Sequence, residues 1–294
     1  MSRHQPACVL ATICTLVLTL IVGCGTMPNR SLAPTTDAQH LSVSFIDVGK
    51  GDCILVECGG EAALIDTGYE DTSVDVLSYL RKRGVEQLKC IILTHYDRDH
   101  VEGLRAIAGA LPVGEVCLPN YEGGDNNYQS VTNTVSRLSL NARQATAGTS
   151  YELGDARLSV VPTSLSYTIE KGENEGNDND LSLVVTLSHA NDSYLFAGDL
   201  EKDGIAAFLA NAQGHFDVLK MPHHGEKCGK TDDLIETVSP KIAVITDSKA
   251  DPADKKTLGY LEDAGADVYR TCTNGTIVME SDGLGDYAVS TERG

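Results

Sequence analysis

Tryptophan is absent from this 294-residue chain, phenylalanine occurs four times, and basic residues are outnumbered, 23 Lys and Arg against 42 Asp and Glu. Without Trp and with so little Phe, no segment reads as an apolar aromatic loop for gripping a hydrophobic substrate. A formal net charge of −19 argues against a broad electrostatic footprint on duplex nucleic acid or an anionic membrane surface, either of which calls for clustered cations. No Cys-x-x-Cys pair offers a zinc knuckle, and no internal repeat supports a solenoid. What remains is a chain whose 41% hydrophobic content is that of a globular protein, long enough for one large domain or two small ones.

The first segment carries a targeting pattern. Arg3 supplies a weak positive region, Ala7 to Val22 is apolar, and Ile21-Val22-Gly23-Cys24 closes it. This resembles a bacterial lipobox, which implies cleavage before Cys24, a lipid on that residue, and a protein exported and anchored to the outer face of the bacterial cytoplasmic membrane. A plain signal peptide or a short anchor would export the domain equally. Residues 1–23 are expected as the signal, 24–40 as a flexible tether rich in Pro, Ser, Thr and Asn, and 41–294 as the working domain. Six cysteines then remain, Cys53, Cys58, Cys90, Cys117, Cys228 and Cys272, an even number that permits disulfides in an oxidising setting. Cys90 and Cys117 lie in strand-like runs and are candidate neighbours, with buried unpaired thiols the equal alternative.

From Leu41 the pattern is strand-like. Leu41 to Val48, Asp52 to Glu57 and Ala62 to Asp66 are joined by glycines, which predicts a meander. Val74, Val76, Leu77 and Leu80 recur at near-helical spacing and end at Arg81-Lys82-Arg83-Gly84, a helix C-terminus. Further helices are expected over Val101 to Leu111 and Tyr128 to Ala142, and starting at Glu201, Thr231 and Lys255. Strands are expected near Leu158 to Val161, Leu181 to Leu187, Tyr194 to Ala197, Val218 to Met221, Ile242 to Thr246, Val268 and Thr276 to Met279. Lys171 to Asp180 reads as an acidic loop. The economical architecture is α/β, two stacked mixed sheets between flanking helices, a four-layer αββα sandwich.

The densest chemistry is Thr94-His95-Tyr96-Asp97-Arg98-Asp99-His100, which follows the apolar run ending at Leu93 and crowds four metal-ligand types into one turn. Such crowding gains nothing on a solvated turn; it makes sense where alternate side chains converge on a cation. Two more islands end apolar runs in the same way, Phe196-Ala197-Gly198-Asp199 and Val218-Leu219-Lys220-Met221-Pro222-His223-His224-Gly225. A lone buried His is more often a hydrogen-bonded core residue. The set of His95, Asp97, Asp99, His100, Asp199 and His223 at strand ends outweighs that reading. Asp66 is expected to brace the metal loop by hydrogen bonds, Asp47 and Asp52 to be structural, and His189 to be a solvated turn residue.

These islands resemble the metallo-β-lactamase superfamily signature His-x-His-x-Asp-His. Within that superfamily, Phe45 to Leu55, Leu64-Ile65-Asp66-Thr67-Gly68 and the His-His-Gly island are similar to the C-terminal hydrolase domain of ComEC-type DNA-uptake proteins. The likeness runs from Leu41 to beyond Thr276, while the multi-span channel of ComEC is missing from this sequence. The resemblance implies two divalent metal ions. His95 and Asp97 would serve the first, with Asp97 where the superfamily usually has a His. Asp99 and His100 would serve the second, Asp199 would bridge, and His223 would complete the second. Asp97 hardens the donor set toward oxygen, so Mn²⁺ or Mg²⁺ competes with Zn²⁺. The superfamily's middle His is replaced by Asn179-Asp180-Leu181-Ser182, where Asp180 is a candidate ligand and Asn179 or Ser182 a candidate contact for substrate or water.

The implied reaction is metal-assisted hydrolysis in which Asp99 orients the attacking hydroxide, and His224, one residue past the metal candidate, is free to donate a hydrogen bond or a proton to the leaving oxygen. Lys220, Lys227 and Lys230 either hold an anionic group there or form a solvated basic face. The first functional expectation is an exported, ComEC-like phosphodiesterase or nuclease acting on a phosphodiester-containing substrate, single-stranded nucleic acid included. Ester, lactam or lactone hydrolysis is the enzymatic alternative, and a metal-stabilised surface binding module is the non-catalytic one.

Overall fold

The computed structural model describes residues 38–162, 164–165, 178–211 and 214–294. The expected signal, the lipobox at Cys24, nearly all of the tether and residues 171–177 of the acidic loop lie outside them.

In chain order the elements are β1 (Leu41–Phe45), β2 (Ile54–Cys58), β3 (Glu61–Ile65), α1 (Ser73–Arg83), β4 (Leu88–Ile92), α2 (Arg98–Val101), α3 (Leu104–Ala110), β5 (Val113–Leu118), α4 (Asn126–Leu138) and β6 (Ala142–Gln144). There follow β7 (Ser150–Leu153), β8 (Ala156–Val161), β9 (Val184–His189), β10 (Asp192–Phe196), α5 (Lys202–Asn211), β11 (Val218–Lys220), α6 (Thr231–Val238), β12 (Ile242–Ile245), α7 (Lys255–Asp263), β13 (Asp267–Arg270), α8 (Thr271–Asn274), β14 (Ile277–Ser281) and β15 (Ala288–Thr291). One sheet has the order β15-β14-β1-β2-β3-β4-β5-β6 and the other β13-β12-β11-β10-β9-β8-β7. Both are mixed. β3, β4, β5 and β6 run parallel, as do β10, β11, β12 and β13, and the other pairings are antiparallel.

Strand periodicity explains the layers. Successive side chains of a strand point to opposite faces, so Cys90 and Ile92 enter the core between the sheets with Phe45, Leu158 and Phe196, while Ile91 turns outward to pack with Leu80 and Ile107 under the helices. The second sheet repeats the scheme: Tyr194 and Phe196 face inward, and Leu195 and Leu219 face Ile205, Leu234 and Leu261 of α5, α6 and α7. The expected αββα sandwich is what forms. Parallel strands deliver their C-terminal ends to one edge, and β3, β4, β10, β11 and β12 all lead there into the loops that carry the ligand islands.

Local differences have local causes. The helix expected over Val101 to Leu111 is broken into α2 and α3, and at the break Gly103 presses so close to Thr67 that a Cβ would lie 2.2 Å from its carbonyl oxygen. α4 starts at Asn126 because the Asp125 carboxylate accepts the Tyr128 N–H at 2.9 Å. It stops at Leu138, before a left-handed Ser139, so Ala142 opens a strand instead. The short strands β6, β7 and β15 and the helix α8 lack any clear period in the sequence. The six cysteines are free thiols; Cys90 and Cys117 sit on adjacent strands within the inter-sheet core without bonding. His189 is fully buried rather than solvated, because Asp192 across the β9–β10 turn accepts from its Nδ1 at 3.0 Å.

Candidate metal centre

Asp66, at the end of β3, and the loop after β4 build the first wall. Asp66 holds a left-handed backbone (φ 58°), which aims its carboxylate at the neighbouring loop. Oδ1 accepts the Thr94 N–H at 2.8 Å, and Oδ2 accepts the Thr94 hydroxyl at 2.7 Å and His100 Nδ1–H at 2.8 Å. Since the Thr94 hydroxyl gives its only proton to Asp66, it must accept from His95 Nδ1, 3.0 Å away. Both rings are thereby fixed with the Nε2 lone pair free.

The second wall repeats the device with other residues. The Thr246 hydroxyl donates to Asp52 Oδ1 at 2.6 Å and so accepts from His224 Nδ1 at 3.1 Å, which again frees Nε2. His223 and His224 occupy consecutive left-handed conformations (φ 46° and 52°), a strained pair for residues with a Cβ. The turn brings His224 inward and leaves His223 at the rim, 19% exposed, with Nδ1 3.3 Å from Glu201 Oε1. Asp199 follows Gly198, whose left-handed backbone passes so close to Ser182 that a Cβ would lie 2.8 Å from the serine Cβ; the Ser182 hydroxyl accepts the Asp199 N–H at 3.1 Å.

Four side chains from both walls converge. Donor atoms of Asp99, His100, Asp199 and His224 all lie within 4.8 Å of one another. His224 Nε2 is 3.0 Å from Asp199 Oδ2 and 3.1 Å from Asp99 Oδ2, and His100 Nε2 is 3.3 Å and 3.8 Å from the same two atoms. Ligands bound at about 2.0–2.2 Å to one cation stand roughly 3–3.5 Å apart, so the spacing fits. As lone pairs the buried Nε2 atoms of His95, His100 and His224 have no donor to accept from, and Asp199 Oδ1 is likewise buried without a partner, an arrangement whose cost a cation removes. His95 and Asp97 stand beside the quartet, 3.8 Å apart, and the His95 and His100 ring centroids are 4.1 Å from each other.

Electrostatics in the protein alone tell the same story. Burial opposes charge on His100 and His224, yet the carboxylates of Asp199 and Asp99 overcome it, raising His100 well above its ordinary value and His224 to about 9. His95 is raised as well, against burial and the neighbouring His100, by Asp97 and Asp199. Asp99 and Asp199 are held low despite burial by those same imidazoles. Protons thus stand where a cation would, and the donor set of three imidazoles and three carboxylates suits a divalent metal.

Other expected residues land elsewhere. Asp180 is turned toward α5, where Oδ1 accepts the N–H groups of Glu201 at 3.0 Å and Gly204 at 2.7 Å, and so caps that helix. Asn179 Nδ2 reaches Glu201. Lys230 pairs with Asp233 of α6, and Lys227 uses its backbone N–H on Asp254. Lys220 is fully buried, bonded to Asp52, 3.2 Å from Gly198 O and 3.5 Å from Asp199 Oδ1. Burial alone would lower its ammonium, but Asp52 and Asp199 raise it, so it carries its charge inside the protein. Asp47 pairs with Arg293 and takes the Gly49 N–H, away from the centre. Sequence reasoning read Lys220 as an anion-holding or solvated lysine and missed its buried ion pair with Asp52, and it missed the Asp52–Thr246 brace. The signal for the first was a lysine inside the apolar run Val218-Leu219-Lys220-Met221.

Among the described residues no helix is long and apolar enough to cross a membrane. The chain is 27% identical over 215 residues to "Recombination protein 2" of Haemophilus influenzae, covering 71% of this chain and 24% of that protein. It is 26% identical over 259 residues to "ComE operon protein 3" of Bacillus subtilis, covering 80% of this chain and 32% of that one. The chain therefore spans a third or less of these relatives' lengths. Its fold is similar to that of the metallo-beta-lactamase fold protein YhfI from Bacillus subtilis, with a TM-score of 0.54 at 12% identity, covering 83% of this chain and 100% of that one. The Metallo-beta-lactamase superfamily profile matches residues 46–245. On that match, and with its ligand islands gathered at one edge of two stacked sheets, the chain belongs to the metallo-β-lactamase superfamily and is related there to ComEC-type competence proteins.

Proposed function

We propose that this protein is an exported, metal-dependent phosphodiesterase, lipid-anchored through Cys24. The observation that carries the hydrolase is the convergence of Asp99, His100, Asp199 and His224, three of them fully or almost fully buried, beside His95 and Asp97. Support for a phosphodiester comes from the relative whose name speaks of recombination, and from the three carboxylates of the donor set, which suit cations used on phosphate. Support for export and lipidation is the Ile21-Val22-Gly23-Cys24 pattern.

Divalent cations, with Mn²⁺ or Zn²⁺ the first choices and Mg²⁺ the next, would be held by these six side chains and would supply Lewis-acid polarisation of the scissile group and activation of water. The protein's own residues do the rest. Asp66 and Thr94 fix His95 and His100, and Asp52 and Thr246 fix His224, so the donors need no reorientation when the reaction begins. Asp99, 16% exposed, is placed to orient the attacking water. His224 turns its Nε2 into the quartet and its Nδ1 to Thr246, so the role of serving the leaving oxygen is assigned to His223, at the rim between Glu201 and Glu226.

A chromogenic phosphodiester offered to the chelator-stripped protein, resupplied separately with Mn²⁺, Zn²⁺ or Mg²⁺, tests the reading. Metal-dependent turnover that disappears in Asp99→Ala is the expected result. Stoichiometric metal binding without turnover would move the assignment to carbonyl esters and lactams.

A further inference from the structure

The centre opens to solvent on one side. The side chains of His95, His100, Asp199 and His224 are 3% exposed or less, whereas Asp97 and Asp99 are 14% and 16% exposed. A substrate therefore meets the centre past these two carboxylates. The residue between them in the chain is Arg98, whose side chain is 53% exposed.

The surroundings of Arg98 hold its guanidinium in place. Cζ lies over the Tyr69 ring, 5.5 Å from its centroid, within reach of cation–π attraction. Nη2 stands 3.5 Å from Glu102 Oε2, four residues on. Tyr69 is itself built against the centre: a Cβ on Gly51 would lie 3.1 Å from Asp99 Cβ and 3.3 Å from Tyr69 Cε2, so this glycine packs between the two. Other cations nearby are committed more closely. Lys50, next to Gly51, is bonded to Glu226 and Asp251, and Lys220 is buried against Asp52. With a phenol ring beneath it, the exposed guanidinium turns its other face to solvent. A guanidinium is planar and weakly hydrated, and it stacks on flat rings where an ammonium keeps its water. Unpaired nucleobases are held in this way on arginine planes, a contact that phosphodiesters of glycerol or sugar alcohols cannot make.

We infer that Arg98, laid on Tyr69, is a specificity-determining residue whose outer face takes the planar base of a nucleotide when its phosphate lies in the centre, selecting unpaired nucleotidic diesters over aliphatic ones. This rests on the phosphodiesterase reading for the phosphate. Inside a duplex both faces of a base are already stacked, so the platform serves single strands and ends.

Calorimetric binding to the Mn²⁺-loaded full chain in detergent tests this without turnover. The probes are thymidine 5′-monophosphate and methyl 2-deoxyriboside 5-phosphate, which carries the same sugar and phosphate without the base. The readout is the ratio of their affinities. In the parent the base should tighten binding about tenfold or more, the scale of one stacked base. Arg98→Lys, which keeps the charge and loses the plane, should bring the ratio close to one. Arg98→Trp, which keeps a plane and loses the charge, should hold it well above one. Tyr69→Leu, which removes the ring beneath, should lower it about two- to fivefold, the scale of an exposed cation–π contact. A parent ratio near one, a ratio that survives Arg98→Lys, or one lost equally in Arg98→Trp would overturn the inference. So would a Tyr69→Leu ratio equal to the parent's. Turnover of the chromogenic diester is read separately. If it occurs while the parent ratio is near one, the inference fails and the phosphodiesterase stands; if it is absent while the ratios behave as stated, the platform stands and the phosphodiesterase falls.

Discussion

Two buried aspartates, Asp66 and Asp52, brace this centre from opposite walls with different consequences. Asp66 works within the first half of the fold, fixing Thr94, His95 and His100 of the loop that follows the neighbouring strand. Asp52 reaches across. Its Oδ1 serves His224 through Thr246, and its Oδ2 meets the Lys220 ammonium, so that it ties the β2 entry to the ends of β11 and β12 in the other sheet. The Asp66 network fixes ligands through several hydrogen bonds shared by one carboxylate, whereas the Asp52–Lys220 ion pair, with no solvent access, also ties the two sheets and is costly to break on one side only.

The largest expected effect follows from that asymmetry. Asp52→Ala strands a fully buried ammonium and should cost about 3–5 kcal/mol in metal-free denaturant unfolding, the usual penalty for removing one partner of a buried pair. Lys220→Met should cost a similar amount by stranding Asp52. The double variant Asp52→Asn with Lys220→Met should recover most of the loss, because no unpaired charge is left. If each single variant unfolds like the parent, the pair is not the tie between the sheets.

Asp66→Asn is the counterpart and should separate the two braces. It keeps the shape but cannot accept from Thr94 and His100 as a carboxylate does, so the imidazoles lose their fixed tautomers. Metal affinity in a chelator competition should fall about 10–100-fold, with an unfolding cost of only about 1–3 kcal/mol. A larger loss of stability than in Asp52→Ala would reverse the comparison.

Proton release probes both walls together. A cation needs neutral imidazoles, and His224 carries a proton up to about pH 9, with His100 also raised. Affinity should therefore climb with pH across the neutral range, and the climb should slacken once pH passes about 9, where His224 has lost its proton. Each cation bound in that window should release at least one proton. Calorimetry in two buffers of different ionisation enthalpy counts them. In the metal-free protein the sign is opposite: a raised histidine stabilises the fold below its unfolded value, and that contribution is lost as pH passes through the folded one.

Much of this was legible in the sequence because strand ends announce themselves. Alternating and fully apolar runs marked the strands, and the crowding of His95, Asp97, Asp99 and His100 after one of them marked the centre. The choice between His223 and His224 was not legible. Adjacent residues point in different directions, and two successive left-handed residues decide which ring turns in, a backbone state that no local pattern specifies for histidine. Lys220 was read as an anion-binding or solvated lysine, since its charge partners lie 168 and 21 positions away in sequence (220 − 52 and 220 − 199). A buried lysine is intelligible only once both carboxylates are seen beside it.

Asp180 gives the smallest effect and the sharpest check on this lesson. Its sequence position, where the superfamily's middle ligand is expected, invited a metal role, but its Oδ1 accepts two N–H groups at the start of α5. Asp180→Ala should therefore behave as a lost helix cap, costing about 1 kcal/mol while metal stoichiometry and affinity stay as in the parent. Asp180→Asn, which keeps an accepting oxygen, should lose less. A capping carboxylate and a ligating one differ in which measurement moves: if Asp180→Ala lowers metal affinity about tenfold or more at unchanged stability, the side chain leaves its helix to join the centre.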